Sequence, residues 1–213
     1  LTTELLARVR SSEPGGNLIT WRPAVDSISF VLADRGATAC VDITMSTGEV
    51  SDGGVVDLVL PSKIKERAGG RLDKSVFVCW KVTDTVGASE ERRLYFFDAW
   101  CLEGKPVRSL TLDKRLAILQ TELIQPRKAD QANNPARYKG RGCQYYIRML
   151  EHFKPKAVQH LVTNVFPKLA HPHSELVVFR SCSAGDYSPW LLWSAESVDR
   201  KLSLDVLTGK LAK

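Results

Sequence analysis

Two tryptophans near the end of the chain have side chains suited to stacking on a ligand. The segment 175–194 predicts a β-hairpin, with an apolar run over 176–179, a turn rich in Gly, Asp, Ser and Pro, and a return strand that carries Trp190 and Trp193. Because side chains alternate faces along a strand, one indole can pack in the core while the other presents its flat face. The alternative, that both rings are core residues, stays open at this point.

A basic segment lies upstream of this hairpin and is suited to phosphate binding. Its cations are Arg127, Lys128, Arg137, Lys139, Arg141, Arg148, Lys154 and Lys156. Tyr138, Tyr145 and Tyr146 are interleaved with them. Lysine and arginine neutralise phosphates, and aromatic rings stack on bases, so the combination favours nucleic acid. An ordinary solvated face has the same composition. The net charge of +6 also favours anionic partners.

Composition narrows the class of protein. The 213 residues are 44% hydrophobic, enough for a packed core. No apolar run approaches the about 20 residues of a membrane helix, and no signal peptide is visible, so no membrane association is predicted. The five cysteines are scattered without a C-x-x-C pair, which predicts reduced thiols. His171-Pro-His173 has no third ligand, so no metal site is predicted.

Hydrophobic periodicity predicts an α+β fold, mostly antiparallel sheets with a few helices. Residues 1–17 are predicted to form an N-terminal helix and linker, and 18–213 a single domain. Helical spacing of leucines predicts a helix over Thr111–Leu123, and a second helix is expected over Lys156–Leu169. Strands are predicted over 18–22, 27–33, 37–44, 75–82, 94–102, 176–179 and 190–193. Polar loops are predicted over 83–92 and 127–142.

Several short motifs carry a family resemblance. They are Leu32-Ala-Asp-Arg-Gly-Ala-Thr38, Tyr95-Phe-Phe-Asp-Ala-Trp-Cys-Leu-Glu-Gly-Lys-Pro106, Leu176-Val-Val-Phe179, Tyr187-Ser-Pro189 and Leu192-Trp193. In this order they resemble the nucleotidyltransferase fold of mRNA guanylyltransferases and ATP-dependent ligases. They resemble still more closely the non-catalytic cap-binding domain of the snurportin family. The resemblance extends over residues 18 to 209.

Departures from the enzymes' motifs imply that the chain does not catalyse nucleotidyl transfer. The enzymes attack phosphate with the lysine of K-x-D-G, and the matching position here is Ala33, which has no amine. The late K-x-K motif has no lysine at Leu192 or Ser194, and Ser174-Glu175 replaces an acidic D-G. No enzyme activity and no cofactor are therefore predicted.

The resemblance implies binding of a methylated guanosine cap. A cationic base gains about 0.5 to 2 kcal/mol by stacking on tryptophan. The snurportin pattern implies Trp193 as the stacking residue. The predicted cap-binding residues are Trp193, Trp21, Arg22 and Arg35. The predicted RNA and phosphate contacts are Arg127, Lys128, Arg137, Lys139 and Arg141. For Trp21, a position in the core is the alternative.

The leading hypothesis is non-enzymatic binding of the trimethylguanosine cap of small nuclear RNA. The resemblance implies small nuclear ribonucleoproteins as partners, with importin-β and an exportin, and shuttling between nucleus and cytoplasm. The family's arginine-rich importin-binding helix is not recognisable in this sequence. The first alternative is a degenerate capping-enzyme or ligase domain that acts as a protein-interaction or RNA-binding scaffold. The second is an active nucleotidyltransferase with an unrecognised lysine.

Overall fold

The computed structural model describes residues 18–55, 58–63, 70–138, 145–154, 157, 160–179, 190–194 and 200–202. Its strands are β1 Leu18–Pro23, β2 Ser27–Asp34, β3 Ala37–Thr44, β4 Val50–Val55, β5 Ser75–Val86, β6 Ser89–Leu102, β7 Lys105–Pro106, β8 Tyr146–Met149, β9 His173–Phe179, β10 Trp190–Ser194 and β11 Arg200–Leu202. The helices are α1 Leu112–Ile118 and α2 Gln125–Asn133, joined by a π-helical turn, Leu119–Ile124. Shorter helical turns are Pro135–Tyr138, Leu161–Val165 and Phe166–Lys168.

Two sheets contain these strands. One has four strands in the order β1-β9-β10-β11, and the other has seven, with β4-β3-β2-β5-β6-β7 in a row and β8 paired to β6. Every pairing is antiparallel except that of β6 with β8. The predicted α+β class with mostly antiparallel sheets is confirmed.

The described residues divide into two compact units. The central unit is Asp26–Met149 and contains the seven-stranded sheet. The terminal unit combines the described residues up to Val25 with those from Leu150 onward, and contains the four-stranded sheet. The predicted N-terminal helix, 1–17, lies outside the described residues. That 18–213 form a single domain stays a prediction.

The core of the central unit lies along β5 and β6. Aromatic and aliphatic residues are buried on both faces of these strands, as expected for central strands of a covered sheet. The ring centroids of Trp80 and Phe97 are 4.3 Å apart. Phe30 on β2 meets Trp100 edge-on at 4.7 Å.

The polar hairpin loop predicted over 83–92 is confirmed as a hairpin, but its loop is much shorter than predicted. β5 continues to Val86, β6 begins at Ser89, and the strands pair residue by residue between them. Hydrophobic periodicity missed this part of the strand because the buried residue is charged. Asp84 is fully buried, accepts a hydrogen bond from the Tyr95 hydroxyl and forms an ion pair with Arg93. These cross-strand contacts satisfy a carboxylate that composition alone assigns to a loop.

The predicted helix over 111–123 is confirmed, but the predicted loop over 127–142 is wrong over its first part. Helical structure runs through α1, the π-helical turn and α2 to Asn133. Pro126 lacks an amide donor, and the chain widens into a π-helical turn immediately before it. The sequence reading took Pro135 and the polar composition as signs of a loop, whereas the helix ends only at Asn134, one residue before that proline.

The closing hairpin is confirmed at the level of its backbone. β9 and β10 pair antiparallel, with Trp190 opposite Phe179 and Trp193 opposite Leu176. β9 begins earlier than predicted, at His173, and β10 begins at Trp190 as predicted. No helix in the described part of the chain is long and apolar enough to cross a membrane.

Candidate functional site

Ala33 occupies the position that the resemblance assigns to a nucleophilic lysine. It lies near the end of β2, opposite Thr38 on β3 and Ser75 on β5. Its side chain is 2% exposed. The position therefore holds a buried methyl group, which cannot attack a phosphate.

The turn that follows Ala33 is held in place by two contacts with the segment before β5. The backbone N–H of Arg35 donates to Asp73 Oδ1 over 2.6 Å, and Arg71 Nη1 donates to the Gly36 carbonyl over 2.8 Å. The Arg35 N–H lowers the pKa of Asp73, because it stabilises the carboxylate form. The side chain of Arg35 is exposed to solvent.

Three non-glycine residues near this turn adopt left-handed backbone conformations. Arg35 has φ of 49°, Lys74 of 42° and Glu103 of 51°. Two hydrogen bonds join the turns that carry Lys74 and Glu103. Gly104 N–H donates to the Lys74 carbonyl over 2.9 Å, and Glu103 N–H donates to Ser75 Oγ over 2.9 Å. A left-handed L-residue costs about 1–2 kcal/mol, so surrounding contacts must hold it.

We call residues 34–36, 73–75 and 103–105 the turn cluster. Its exposed cations are Arg35, Lys74 and Lys105, one on each of three turns at one end of the seven-stranded sheet. Of the three carboxylates in the cluster, Asp73 accepts the Arg35 N–H, Glu103 accepts the Ser62 hydroxyl at 3.3 Å, and Asp34 is exposed. Exposed cations on fixed backbone can bind an anion with little reorganisation. Sequence reasoning missed Lys74 and Lys105, since only the fold brings them beside Arg35.

The predicted cap contacts in β1 have internal partners in the terminal unit. Trp21 is 3% exposed and its Nε1 donates to His171 Nε2 over 3.3 Å. Arg22 Nη2 donates to the Val25 carbonyl over 3.0 Å. A stacking residue needs an exposed ring face, so this burial favours the core alternative for Trp21 over a contact with the base.

Trp193 lies on β10, an inner strand of the four-stranded sheet. The register places it opposite Leu176, which in turn lies opposite Trp21 on β1. The three residues thus form one row across the sheet. The side chains of Trp190 and Trp193 lie outside what the structure describes, so the predicted stacking role of Trp193 stays a prediction.

The basic segment divides into residues with different environments. Arg127 is 4% exposed, donates from Nη1 to the Val59 carbonyl, and its guanidinium lies 4.8 Å from the Tyr138 ring centroid. This placement gives Arg127 a structural role and disfavours its predicted contact with RNA. Lys128 and Arg137 are exposed. Lys139 and Arg141 lie outside the described residues.

Asp130 organises the exposed end of α2. Its carboxylate accepts from Asn134 Nδ2 at 2.8 Å, from Arg137 Nη1 at 3.1 Å, and from the Tyr138 hydroxyl. Desolvation opposes the charged form, but these donors prevail and lower the pKa of Asp130. Burial and the neighbouring carboxylate raise the pKa of Tyr138. Arg137 is therefore a positioned cation.

The acidic residue of the central motif is structural. Asp98 is 2% exposed and pairs with Arg115 on α1, through Nε to Oδ1 at 2.7 Å and Nη2 to Oδ2 at 3.2 Å. Its Oδ1 also accepts the Ala99 N–H at 2.8 Å. A carboxylate held in this way has no open oxygen for a metal or substrate. Within the described ranges, no group of three His, Cys, Asp or Glu residues could hold a metal ion.

Comparisons with known proteins give structural neighbours only. No family model matches the chain, and no curated protein matches it. The ligase domain of LigD from M. tuberculosis is similar with a TM-score of 0.44 and 11% identity, covering 85% of this chain and 54% of that chain. Mycobacterial DNA ligase D complexed with ATP and MES is similar with a TM-score of 0.41 and 11% identity, covering 86% and 52%.

The chain thus spans about half the length of these ligase chains. Similarity at this level carries no inference about the activity or ligands of this chain. The narrower resemblance to the snurportin family stays a prediction.

Proposed function

We propose that this chain is a degenerate nucleotidyltransferase-like domain that binds RNA without transferring a nucleotide. The observation that carries the proposal is Ala33, a buried methyl group at the position where the resemblance requires an amine. Covalent lysine catalysis cannot begin without that amine. The turn cluster beside it keeps exposed cations, so anion binding survives where the nucleophile is lost.

RNA phosphates would contact the turn cluster through Arg35, Lys74 and Lys105. The backbone at these residues is fixed by the hydrogen bonds to Asp73, Ser75 and Gly104. The net charge of +6 would add a long-range attraction for a polyanion. Contacts to phosphates give affinity without sequence preference.

The first test is for catalysis. We expect incubation of the chain with magnesium and labelled ATP or GTP to give no covalent adduct that survives denaturation. An adduct that maps to any lysine would overturn the non-catalytic proposal and support an active transferase instead.

The second test is for RNA binding at the turn cluster. We expect fluorescence anisotropy with a labelled oligoribonucleotide to show saturable binding, weakened about tenfold by Arg35→Gln. Arg92→Gln is the matched control, because Arg92 is exposed but lies on the β5–β6 hairpin, opposite Thr83. Absence of binding by the parent chain would favour a protein-interaction scaffold. If Arg35→Gln and Arg92→Gln weaken RNA binding equally, the turn cluster is not the RNA-binding site.

A narrower form of the proposal is recognition of a trimethylguanosine cap, in which Trp193 stacks on the methylated base. It rests on the family resemblance, which assigns the stacking role to Trp193 on the paired hairpin strand β10. The partners implied by the resemblance, importin-β, an exportin and small nuclear ribonucleoproteins, belong to this narrower form, as does nuclear shuttling.

Titration with trimethylated, monomethylated and unmethylated cap analogues tests the narrower form by tryptophan fluorescence. We expect Trp193→Ala to abolish quenching with little change in stability, and Trp190→Ala to destabilise the fold. RNA binding without any preference for a cap would reject the narrower form and leave the scaffold proposal standing.

A further inference from the structure

A cleft in the central unit lies between α2 and the segment before residue 64. Its volume is about 610 Å³, within the range of small-molecule sites. One side is formed by Pro61, Ser62 and Lys63, together with Gly70, and the other by α2 and the residues that follow it as far as Arg137. All of these residues belong to the central unit, so the cleft is formed by one compact unit.

Arg137 presents part of its guanidinium to this cleft. Only Nη1 bonds to Asp130, and Nε and Nη2 have no partner among the described residues. The side chain is 42% exposed and its position is fixed by the Asp130 carboxylate. The edge formed by Nε and Nη2 has the geometry that binds two oxygens of an oxyanion.

Lys63 supplies a second cation from the opposite side. Its Nζ donates to Glu122 Oε1 over 2.8 Å, and in the part of the chain that the structure describes no other acceptor is recorded for its remaining protons. Carboxylate oxygens lie in one plane, whereas phosphate oxygens point in several directions. Cations on two sides of a cleft therefore suit phosphate better. The cleft is larger than a phosphate ion, and Pro126 and Ala129 give an uncharged surface for an attached group.

We propose that the cleft between Lys63 and Arg137 binds the phosphate of a nucleotide, either free or within an RNA strand. The cleft shares no lining residue with the turn cluster, although Ser62 of the cleft donates to Glu103 of the cluster, and it does not require the turn cluster to bind RNA. It extends the sequence-based prediction for Arg137 by giving that residue a partner, Lys63, from a distant part of the chain.

Isothermal titration of the full chain with AMP, with inorganic phosphate and with a short oligoribonucleotide tests the proposal. We expect saturable AMP binding with a dissociation constant of about 1 mM or tighter, and an about tenfold loss in Arg137→Gln. Arg137→Lys keeps the charge without the planar edge, so it should recover only part of the affinity. Lys63→Gln should weaken AMP to a similar extent as Arg137→Gln.

Lys114→Gln is the control, because Lys114 is an exposed cation of α1 in the same unit and does not line the cleft. We expect it to leave AMP affinity unchanged within about twofold. Equal losses in Lys114→Gln and Arg137→Gln would overturn the site and indicate general electrostatic attraction. Absence of AMP and phosphate binding by the parent, checked to be folded by circular dichroism, would also overturn it.

The same experiment separates the two phosphate sources and the two proposals. An oligoribonucleotide that binds far more tightly than AMP, and loses affinity in Arg137→Gln, identifies RNA as the source. Equal affinities identify a free nucleotide. RNA binding that is insensitive to Arg137→Gln, with no AMP binding, rejects the cleft and leaves the RNA scaffold intact. AMP binding without RNA binding supports the cleft and rejects the scaffold.

Discussion

At the scale of single residues, removal of one partner from the buried pair of Asp98 and Arg115 should strongly destabilise the central unit. Arg115→Met leaves a buried carboxylate without its cation, and we expect a loss of about 3–5 kcal/mol in the free energy of unfolding. Urea denaturation followed by circular dichroism measures it. Combining Arg115→Met with Asp98→Asn should recover part of the loss. A double variant as unstable as the single one would show that packing, not charge, is the cause.

A second residue-scale prediction concerns pH. Burial lowers the pKa of His152 to about 4, although its bond to the Leu150 carbonyl opposes the shift. A histidine in the unfolded chain has a pKa of about 6.5. Between that pH and about 4, the unfolded state therefore binds more protons than the folded state. The free energy of unfolding should therefore fall as pH drops from about 6.5 to about 4, by at most about 1.4 kcal/mol per pH unit.

His152→Gln should flatten this dependence between about pH 6.5 and 5, a range above most carboxylate titrations. His160→Gln is the matched control, because His160 is exposed. Urea midpoints at several pH values measure both variants. Parallel pH profiles for the parent and His152→Gln would contradict the prediction.

The family resemblance assigned Ala33 to the position of a lost nucleophile, and the structure adds that this residue is buried. Arg127 shows the opposite case. Composition placed it among the RNA contacts, but its acceptor, the Val59 carbonyl, is 68 residues away along the chain. No local pattern distinguishes such a buried arginine from a solvated one.

At the scale of elements, the bulged pairing of β3 with β4 depends on a glycine. A Cβ at Gly53 would lie 2.8 Å from Lys81 Nζ and 2.9 Å from Asp42 Cγ. These two groups form an ion pair at 3.0 Å, and Lys81 also donates to the Gly53 carbonyl at 2.9 Å. Gly53→Ala must displace the flexible ends of these two side chains, and we expect it to cost about 1 kcal/mol.

Thermal unfolding measures the Gly53→Ala effect. Lys81→Met alone, which removes the charge but keeps the length, separates steric displacement from loss of the ion pair. We expect the two variants to be similarly destabilising, because an ion pair between side chains that are 20% and 21% exposed is worth about 1 kcal/mol. A neutral Gly53→Ala would mean that β4 shifts freely at its edge of the sheet.

Periodicity predicted seven of the eleven described strands, the others being β4, β7, β8 and β11, and it misjudged elements with buried charges. Strands such as β5 were predicted because β-branched and aromatic residues dominate them. The extension of β5 to Val86 was missed, because Asp84 belongs to the strand only through Arg93 and Tyr95 on its partner. Helix α2 was missed for a similar reason, since its buried contact is made by a charged residue, Arg127.

At the scale of the whole molecule, the proposed RNA binding should depend strongly on salt. Each cation that neutralises a phosphate releases counterions, so the logarithm of affinity should fall linearly with the logarithm of salt concentration. Removing Arg35, Lys74 or Lys105 should each reduce the slope by about 0.7 to 1. Anisotropy titrations at several potassium concentrations measure it. A slope unchanged by all three substitutions would contradict phosphate contacts at the turn cluster.

The sequence could predict a cationic α+β chain, but not where its cations meet. Arg35, Lys74 and Lys105 are separated by long stretches of chain, and only the pairing of β2, β5, β6 and β7 brings their turns to one end of a sheet. The cleft beside Arg137 has the same origin, since Lys63 comes from a segment far from α2. The topology of the sheet brings these distant residues together, and a single sequence gives little information about topology.

The left-handed conformation of Lys74 implies that one substitution can stabilise the protein and weaken RNA binding at the same time. Glycine adopts such a conformation without steric penalty, so Lys74→Gly should raise the melting temperature, by the equivalent of up to about 1 kcal/mol, while it lowers RNA affinity. In a saturation mutagenesis library, this position should therefore score oppositely in a screen for protein level and in a screen for ligand retention. Selection for protein stability alone would favour glycine over lysine at this position.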